Sequence, residues 1–510
     1  MIGPGGLSNL DGGGSPRRVA PPGRARYTAG VRRFAFLIAL FAVPLCLIPG
    51  RGTGSIPSPL VTALSLEVSA TLRNAAAPGV YVARIEDGET VFDFDGDTPR
   101  ILASNTKLLT TAAALDAFGP GFFFETRFLS RGEVKDGVLR GDLGVVGGGD
   151  PSISGRDWAG DSYAVFRQWA AALRARGVKK VTGDLYLAHG LFEARRIHPD
   201  WPPEQLDAWY EAPIDALSFN DNCILIRVRP SSAGQAPDIE TIPPVRLLRV
   251  DNRAETVAGR ANNPVVRREG DLLIVSGKIG TSNGPFDTWI SVPDPTLYFG
   301  LSLIDALREE GIDVAGKALP VEGLPGEIWE RLAAYKSGLL SAVEVANKRS
   351  QNFYAESLVK LLGARRCGHG GWREGTEAVS EFLLSFGVPA SAFRLADGSG
   401  MSRGNQLSPH QMTRLLRHMW FHPSGAEFVH SLPFGGEDNG GWKSRLASPP
   451  YQGNVFAKTG TLADVSSLSG YARAVSGRVY AFSILLNQTR SNEEAHREQD
   501  RIVKAIIDQG

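Results

Sequence analysis

Ile101-Leu102-Ala103-Ser104-Asn105-Thr106-Lys107 leads into Leu108, Leu109, Ala112, Ala113 and Leu115. The apolar residues recur at helical spacing. Gly119-Pro120 ends the run, since glycine closes a helix and proline cannot continue one. The pattern predicts a helix that opens at Ser104, with Lys107 three residues on and on the same face. A serine hydroxyl is a weak nucleophile until a base takes its proton. A lysine amine can do so only when neutral. Burial, a neighbouring cation and the positive end of a helix all favour that form. The backbone N–H of Ser104 is also an unpaired donor at the helix start and can hold an oxyanion. Taken alone, the segment reads more simply as a serine cap and a surface lysine.

Two later segments change that balance. Ser341 and Glu344 have capping-box spacing and predict a helix start. A second helical pattern runs through Leu358, Leu361 and Leu362. Ser350 and Asn352 are two apart, so one continuous helix would aim them in different directions. A break at Arg349-Ser350-Gln351 would turn both into one cleft. There Ser350 could pass a proton to a leaving amine. Asn352 could hold a substrate amide and orient Lys107. Further on, Asn454-Val455-Phe456-Ala457 leads as a strand into Lys458-Thr459-Gly460-Thr461. Lys458 offers a positive charge for a carboxylate, and Thr459 adds a hydroxyl. Gly460 lets a substrate backbone approach the strand edge. The N–H of Thr461 is the second candidate oxyanion donor. The plainer alternatives are a polar helix connection and an edge strand guarded by lysine.

Serine and lysine, serine and asparagine, then Lys-Thr-Gly in this order resemble the low-molecular-mass class C penicillin-binding proteins. These are D-alanyl-D-alanine carboxypeptidase/endopeptidases. The resemblance runs from about Pro57 to the end. It includes Gly149-Asp150-Pro151, Tyr210-Glu211-Ala212-Pro213 through Asn220-Asp221-Asn222, Asp397-Gly398-Ser399-Gly400-Met401-Ser402-Arg403, and Ser466 to Tyr471. Two features depart from it: Gln351 in the middle motif, and Gly440-Gly441-Trp442-Lys443, where Trp442 would alter the substrate-side rim. Class A β-lactamases share the motif order, but their first gap is much shorter. No Glu-x-x-Leu-Asn segment supplies their deacylating base.

The resemblance implies a serine DD-peptidase that cleaves D-Ala–D-Xaa bonds of peptidoglycan stem peptides or cross-links through an acyl-enzyme on Ser104. It implies no cofactor. β-Lactams would acylate the same serine, because their strained amide mimics the D-Ala–D-Ala bond. The rival readings are a β-lactamase or esterase with the same serine chemistry, or a non-enzymatic wall-binding protein. Ser104 and Lys107 together argue against the last, since a binder needs neither.

The implied fold is α+β, a β-lactamase/transpeptidase-like domain. Its five-stranded antiparallel sheet has helices on both faces and carries a large strand-rich insert. Ser58 to Ala75 reads as a helix, and Val80 to Ile85 pairs with Thr90 to Phe94 over Asp87-Gly88. Strands at Ser467 to Ala474 and Arg478 to Leu486 meet at Ser476-Gly477, and Ser491 and Glu494 cap a last helix, about Glu493 to Ile507. The domain is expected in two parts, 57–121 and 296–510, around an insert at 122–295. That insert has turns at Asp136-Gly137 and Gly183-Asp184 and a helix near Tyr163 to Arg176. Trp201, Trp209 and Tyr210 read as core.

The 510 residues are 43% hydrophobic with a net charge of +1, so nothing points to nucleic acid. The 8 His are scattered without ligand spacing, and no metal site is expected. His410 and His418 read as surface or packing residues. Gly147-Gly148-Gly149 leads to Asp150-Pro151, not to a phosphate-binding helix start. Residues 1–33 are rich in Gly and Pro and read as a disordered basic N-terminus; residues 34–56 hold a signal or anchor and a linker. Phe34 to Ile48 is apolar and shorter than the span of about 20 residues that crosses a bilayer. Behind Arg32-Arg33 it reads as an export signal or an uncleaved anchor, with membrane association through 34–48 in the second case. Either places the catalytic region in the periplasm or cell envelope. Cys46 lies in this leader. Cys223 and Cys367 could pair across domains but read more simply as two lone buried thiols.

Overall fold

Ser58 caps the first helix, Pro59–Thr71, by accepting from the Val61 N–H, and proline at the first helical position suits its missing donor. The computed structural model describes residues 58–510 except Val245, Glu327 and Asn439. The basic N-terminus, the Phe34–Ile48 run and Cys46 lie outside the described residues. The helix stops at Thr71, short of the expected Ala75, because Ala75–Arg84 is already a strand.

That strand pairs antiparallel with Thr90–Phe94 on one side and Val479–Thr489 on the other. Val465–Arg473 and Val455–Leu462 complete a five-stranded antiparallel sheet, with Val455–Leu462 at one edge. Period-two alternation divides its side chains. Val80, Val82, Phe482, Ile484 and Leu486 pack under Pro59–Thr71 and the last helix, Asn492–Gln509. Ser491 caps that helix through the Glu494 N–H, at 3.2 Å. Ala481, Leu485 and Tyr471 face a helical layer that includes Thr106–Phe118, Asn352–Cys367 and Pro409–Trp420. The expected α+β arrangement with helices on both faces is therefore the observed one.

The region expected as an insert is built on a second sheet, whose pairing runs past residue 295. Phe123–Lys135 and Val138–Val146 form a hairpin over Asp136-Gly137, both left-handed at φ 52° and 80°. Gly183-Asp184 is not a hairpin turn. Lys180–Val181 and Leu185–Ala188 both run parallel to Val138–Val146, so the glycine marks a kink in one strand path. Parallel pairing needs a crossover, which the helix Ala164–Ala175 supplies. A second helix, Pro295–Glu309, leads to Asp313–Val314 and Ala318–Val321, which extend the same sheet. Glu330–Gly338 then returns antiparallel to Phe123–Lys135. The Leu339 N–H donates to the Phe122 carbonyl at 2.9 Å, pinning the insert's two ends together. The boundary expected at 295/296 therefore falls inside this unit; sheet pairing carries the insert to Gly338.

Candidate active site

Helix Thr106–Phe118 does not begin with a side-chain cap. A single 3-10 turn, Ala103–Asn105, precedes it, and Ala103 sits at a left-handed φ of 48°. Such strain persists only when the surroundings impose it. Here Gly400 presses on the turn: a Cβ there would lie 1.8 Å from the Ala103 carbonyl oxygen. The outcome is a partly exposed Ser104 on a buried frame.

The expected break between the next two helices is also present. Leu339–Lys348 ends, Ser350 takes a left-handed φ of 53°, and Asn352 opens Asn352–Cys367. Ser341 is not the cap of the first of these helices. It lies inside the first turn after Gly338, and Glu344 pairs with Lys348 at 3.1 Å.

Lys107 joins these pieces. Its Nζ stands 3.1 Å from Ser104 Oγ, 2.7 Å from Asn352 Oδ1 and 2.8 Å from the Ser399 carbonyl. The side chain is 0% exposed. Burial pushes its pKa down to about 7, against the opposing pull of Glu356 and Asp397. A neutral amine has two N–H groups and one lone pair. The two carbonyl oxygens take the N–H groups, so the lone pair is left for the Ser104 hydroxyl.

Lys458 lies deeper than the sequence suggests. It is 1% exposed, and its Nζ donates to Ser350 Oγ at 2.9 Å and to the Thr459 carbonyl at 2.8 Å. Burial first, and the charge of Lys107 second, push its pKa well down. Its amine thus faces Ser350 rather than open solvent. Asn352 is also occupied: its Nδ2 donates to the Tyr210 carbonyl at 2.9 Å. Its amide bridges Lys107 and the insert.

The edge strand docks on the Ser104 turn. Asn105 Nδ2 donates to the Lys458 carbonyl at 2.8 Å. A Cβ on Gly460 would lie 2.3 Å from Ser467 Oγ and 2.8 Å from both Ser104 N and the Leu102 carbonyl oxygen. The glycine expected to admit a substrate backbone is therefore needed for contact within the chain itself. Thr459 is half-buried and Thr461, one residue beyond Gly460, is exposed.

Two buried carboxylates frame this cluster without a role foreseen from sequence. Asp397 accepts from the N–H groups of Gly400 at 2.7 Å and Ser402 at 2.6 Å, and from Trp201 Nε1 at 3.1 Å. Glu356 accepts from Ser399 N at 2.7 Å, Gly398 N at 3.0 Å and Trp372 Nε1 at 2.7 Å. They fix the loop whose Ser399 carbonyl holds Lys107. Burial, then repulsion from Asp397, raises the Glu356 pKa to about 7. The legible signal was spacing: Glu356 is four residues from Asn352, on one helical face.

Other expectations fare differently. Trp201 is core, but Trp209 is exposed and Tyr210 half-buried. Trp442 is buried in the sheet's second core and so does not shape a rim. Cys223 is buried, whereas Cys367 is exposed; both are free. His418 stacks on Phe386 with centroids 4.2 Å apart, and His410 stacks on Tyr81. Among the described residues, no cluster of His, Cys, Asp and Glu could hold a metal ion, and no helix is long and apolar enough to cross a membrane.

Known proteins carry the same plan. The family model of D-Ala-D-Ala carboxypeptidase 3 (S13) matches residues 65–508. The D-alanyl-D-alanine carboxypeptidase of Actinomadura sp. (strain R39) is 33% identical over 494 residues, covering 91% of this chain and 89% of that one. The D-alanyl-D-alanine carboxypeptidase DacB of Haemophilus influenzae is 28% identical over 418 residues, covering 80% and 85%. The crystal structure of penicillin binding protein 4 from Haemophilus influenzae superposes with a TM-score of 0.74 at 25% identity, covering 86% of this chain and 98% of that one. The chain belongs to the D-Ala-D-Ala carboxypeptidase 3 (S13) family, the low-molecular-mass class C penicillin-binding proteins, and is a serine DD-peptidase.

Proposed function

We propose that Ser104 attacks the carbonyl of a D-Ala–D-Xaa bond in peptidoglycan stem peptides or cross-links. Lys107 takes the hydroxyl proton on its lone pair. The N–H groups of Ser104 and Thr461 receive the oxyanion. Ser350, held by Lys458, hands a proton to the leaving amine as the C–N bond breaks and regains one from the Lys107 ammonium, which is thereby neutral again. Water then cleaves the ester, with Lys107 again as base. The observation that carries this reading is the Lys107 amine, with its two N–H groups taken by Asn352 and Ser399 and Ser104 at 3.1 Å. A carboxylate arriving beside Lys458 opposes the downward push of burial and favours the ammonium, whose third N–H then serves the substrate's carboxylate side with the Thr459 hydroxyl. β-Lactams acylate Ser104 by the same steps.

Ser104→Ala tests the assignment. The variant should fold, release no terminal D-amino acid from purified muropeptides, and take no covalent penicillin label. Labelling at the wild-type level would sink it. We further propose that the catalytic region works in the periplasm or cell envelope, delivered or tethered by residues 34–48. The basic leader before that apolar run supports this. Protease added to spheroplasts should digest the catalytic region; protection until lysis would contradict the location.

A further inference from the structure

The cleft does not account for a cavity of about 640 Å³ behind the Ser350 loop. Its lining includes Arg156, Trp209, Asp221, Trp289, Arg349 and Gln351. Two features make it a built site. The first is a pair of indoles. Trp209 and Trp289 both line the cavity, and the bridge between Ala208 and Ile290 brings their two segments together. The two tryptophans are 45% and 43% exposed, a large apolar surface to leave in water.

The second is a set of buried polar atoms with unused capacity. Asp221 Oδ2 accepts from the Arg156 guanidinium and from Gln351 Nε2. Asp221 Oδ1, Gln351 Oε1 and Arg156 Nε are buried without a hydrogen-bond partner in the protein. Buried polar groups ordinarily find partners; Arg156 lies over the Tyr354 ring, whose hydroxyl is also unpartnered, so the capacity left for a ligand is the two acceptors of Asp221 and Gln351.

The mixed charge of the lining narrows the ligand. A carboxylate would meet Asp221, and an ammonium would meet Arg156 and Arg349. A neutral polyhydroxylated ring avoids both penalties. Its C–H face can lie on indole while its hydroxyls donate and accept. The volume suits a small ligand of one or two rings. We propose that this cavity binds a neutral N-acetylated sugar of the glycan strand that carries the stem peptides. The proposal rests on the peptidoglycan reading of the neighbouring cleft. Gln351 lies between Ser350 and Asn352, and the carbonyl of Tyr210, next to Trp209, accepts from Asn352. A sugar seated here supplies binding energy away from the scissile bond.

The test compares kcat/KM for a stem pentapeptide alone and for the same peptide on its disaccharide. The wild type should prefer the glycan-bearing substrate about three- to tenfold, the range expected of one stacked ring. Trp289→Ala, at an exposed strand position, should erase that preference and leave the bare pentapeptide within about twofold of wild type. Separately, a β-1,4 tetramer of N-acetylglucosamine should quench tryptophan fluorescence of the Ser104→Ala protein, and Trp289→Ala should weaken this. No wild-type preference, equal losses on both substrates, or no tetramer binding would each overturn the sugar site. Failure to cleave either peptide or to take penicillin would instead overturn the DD-peptidase reading, while tetramer binding still reports on the cavity.

Discussion

In the unit built on the five-stranded sheet, Lys107, Lys360, Lys458, Glu356 and Asp397 are all buried. In the insert, Arg227–Asp287 and Arg229–Glu240 pair across strands and Arg249–Asp271 pairs a strand with a turn, all at the surface. The buried groups have lost water and depend on fixed partners, so their protonation is tuned and their geometry is rigid. The surface pairs keep water, are screened, and tune little. Buried charge is concentrated around Ser104 but not confined to it, since Asp150, Glu211 and Asp215 are buried in the insert; what sets the Ser104 surroundings apart is two lysine amines side by side in the interior.

The sharpest way to break this contrast is Lys107→Ala. Removing a general base should lower the rate of penicillin acylation about 10²- to 10⁴-fold, with folding intact by circular dichroism. A loss under tenfold would mean that another group takes the proton. Gly460→Ala should come next. Its Cβ would overlap Ser467 Oγ and crowd Ser104 N, prising the edge strand from the turn. Displacements near 1 Å cost about a hundredfold in kcat/KM. Wild-type kinetics would show that the strand yields without moving the site.

Glu356→Gln sharpens the comparison through pH. Glu356 raises the Lys107 pKa, so its removal lowers it. Acylation needs neutral Lys107, so activity rises with pH through a pKa of about 7. In Glu356→Gln that ascending limb should move to lower pH, because Lys107 loses its proton sooner. A limb that stays in place or moves upward would separate Glu356 from Lys107. The smallest effect is expected in the insert. Arg227→Ala removes an exposed pair worth less than about 1 kcal/mol, so thermal unfolding and kcat/KM should barely change. A large loss there would erase the distinction between the two regions.

The five-stranded sheet was legible because each strand carries local signals: Asp87-Gly88, Ser476-Gly477 and the Ser491 cap are turn and cap chemistry that needs no partner. The break at Ser350 was legible for a similar reason, since two side chains two apart cannot share one helical face. The end of the insert was not. Pro295–Glu309 has an ordinary helix pattern, and only the pairing of Asp313–Val314, Ala318–Val321 and Glu330–Gly338 assigns it to the seven-stranded sheet. The kink at Gly183 and the exposure of Trp209 were missed likewise, because composition marks a turn or a core without naming the neighbouring strand.

By itself the sequence determined the order of the chemical groups: Ser104 and Lys107 on one helix start, Ser350 and Asn352 at a helix break, and Lys458 to Thr461 on a strand. Side-chain identity and short-range geometry suffice for that. Tertiary structure alone decided what those groups face. It turned Lys458 toward Ser350, gave Gly460 the Ser104 turn as its neighbour, and closed the Lys107 shell with a carbonyl from Ser399. Those contacts join residues far apart in the chain, and a backbone carbonyl leaves no trace in the identity of the residue that carries it.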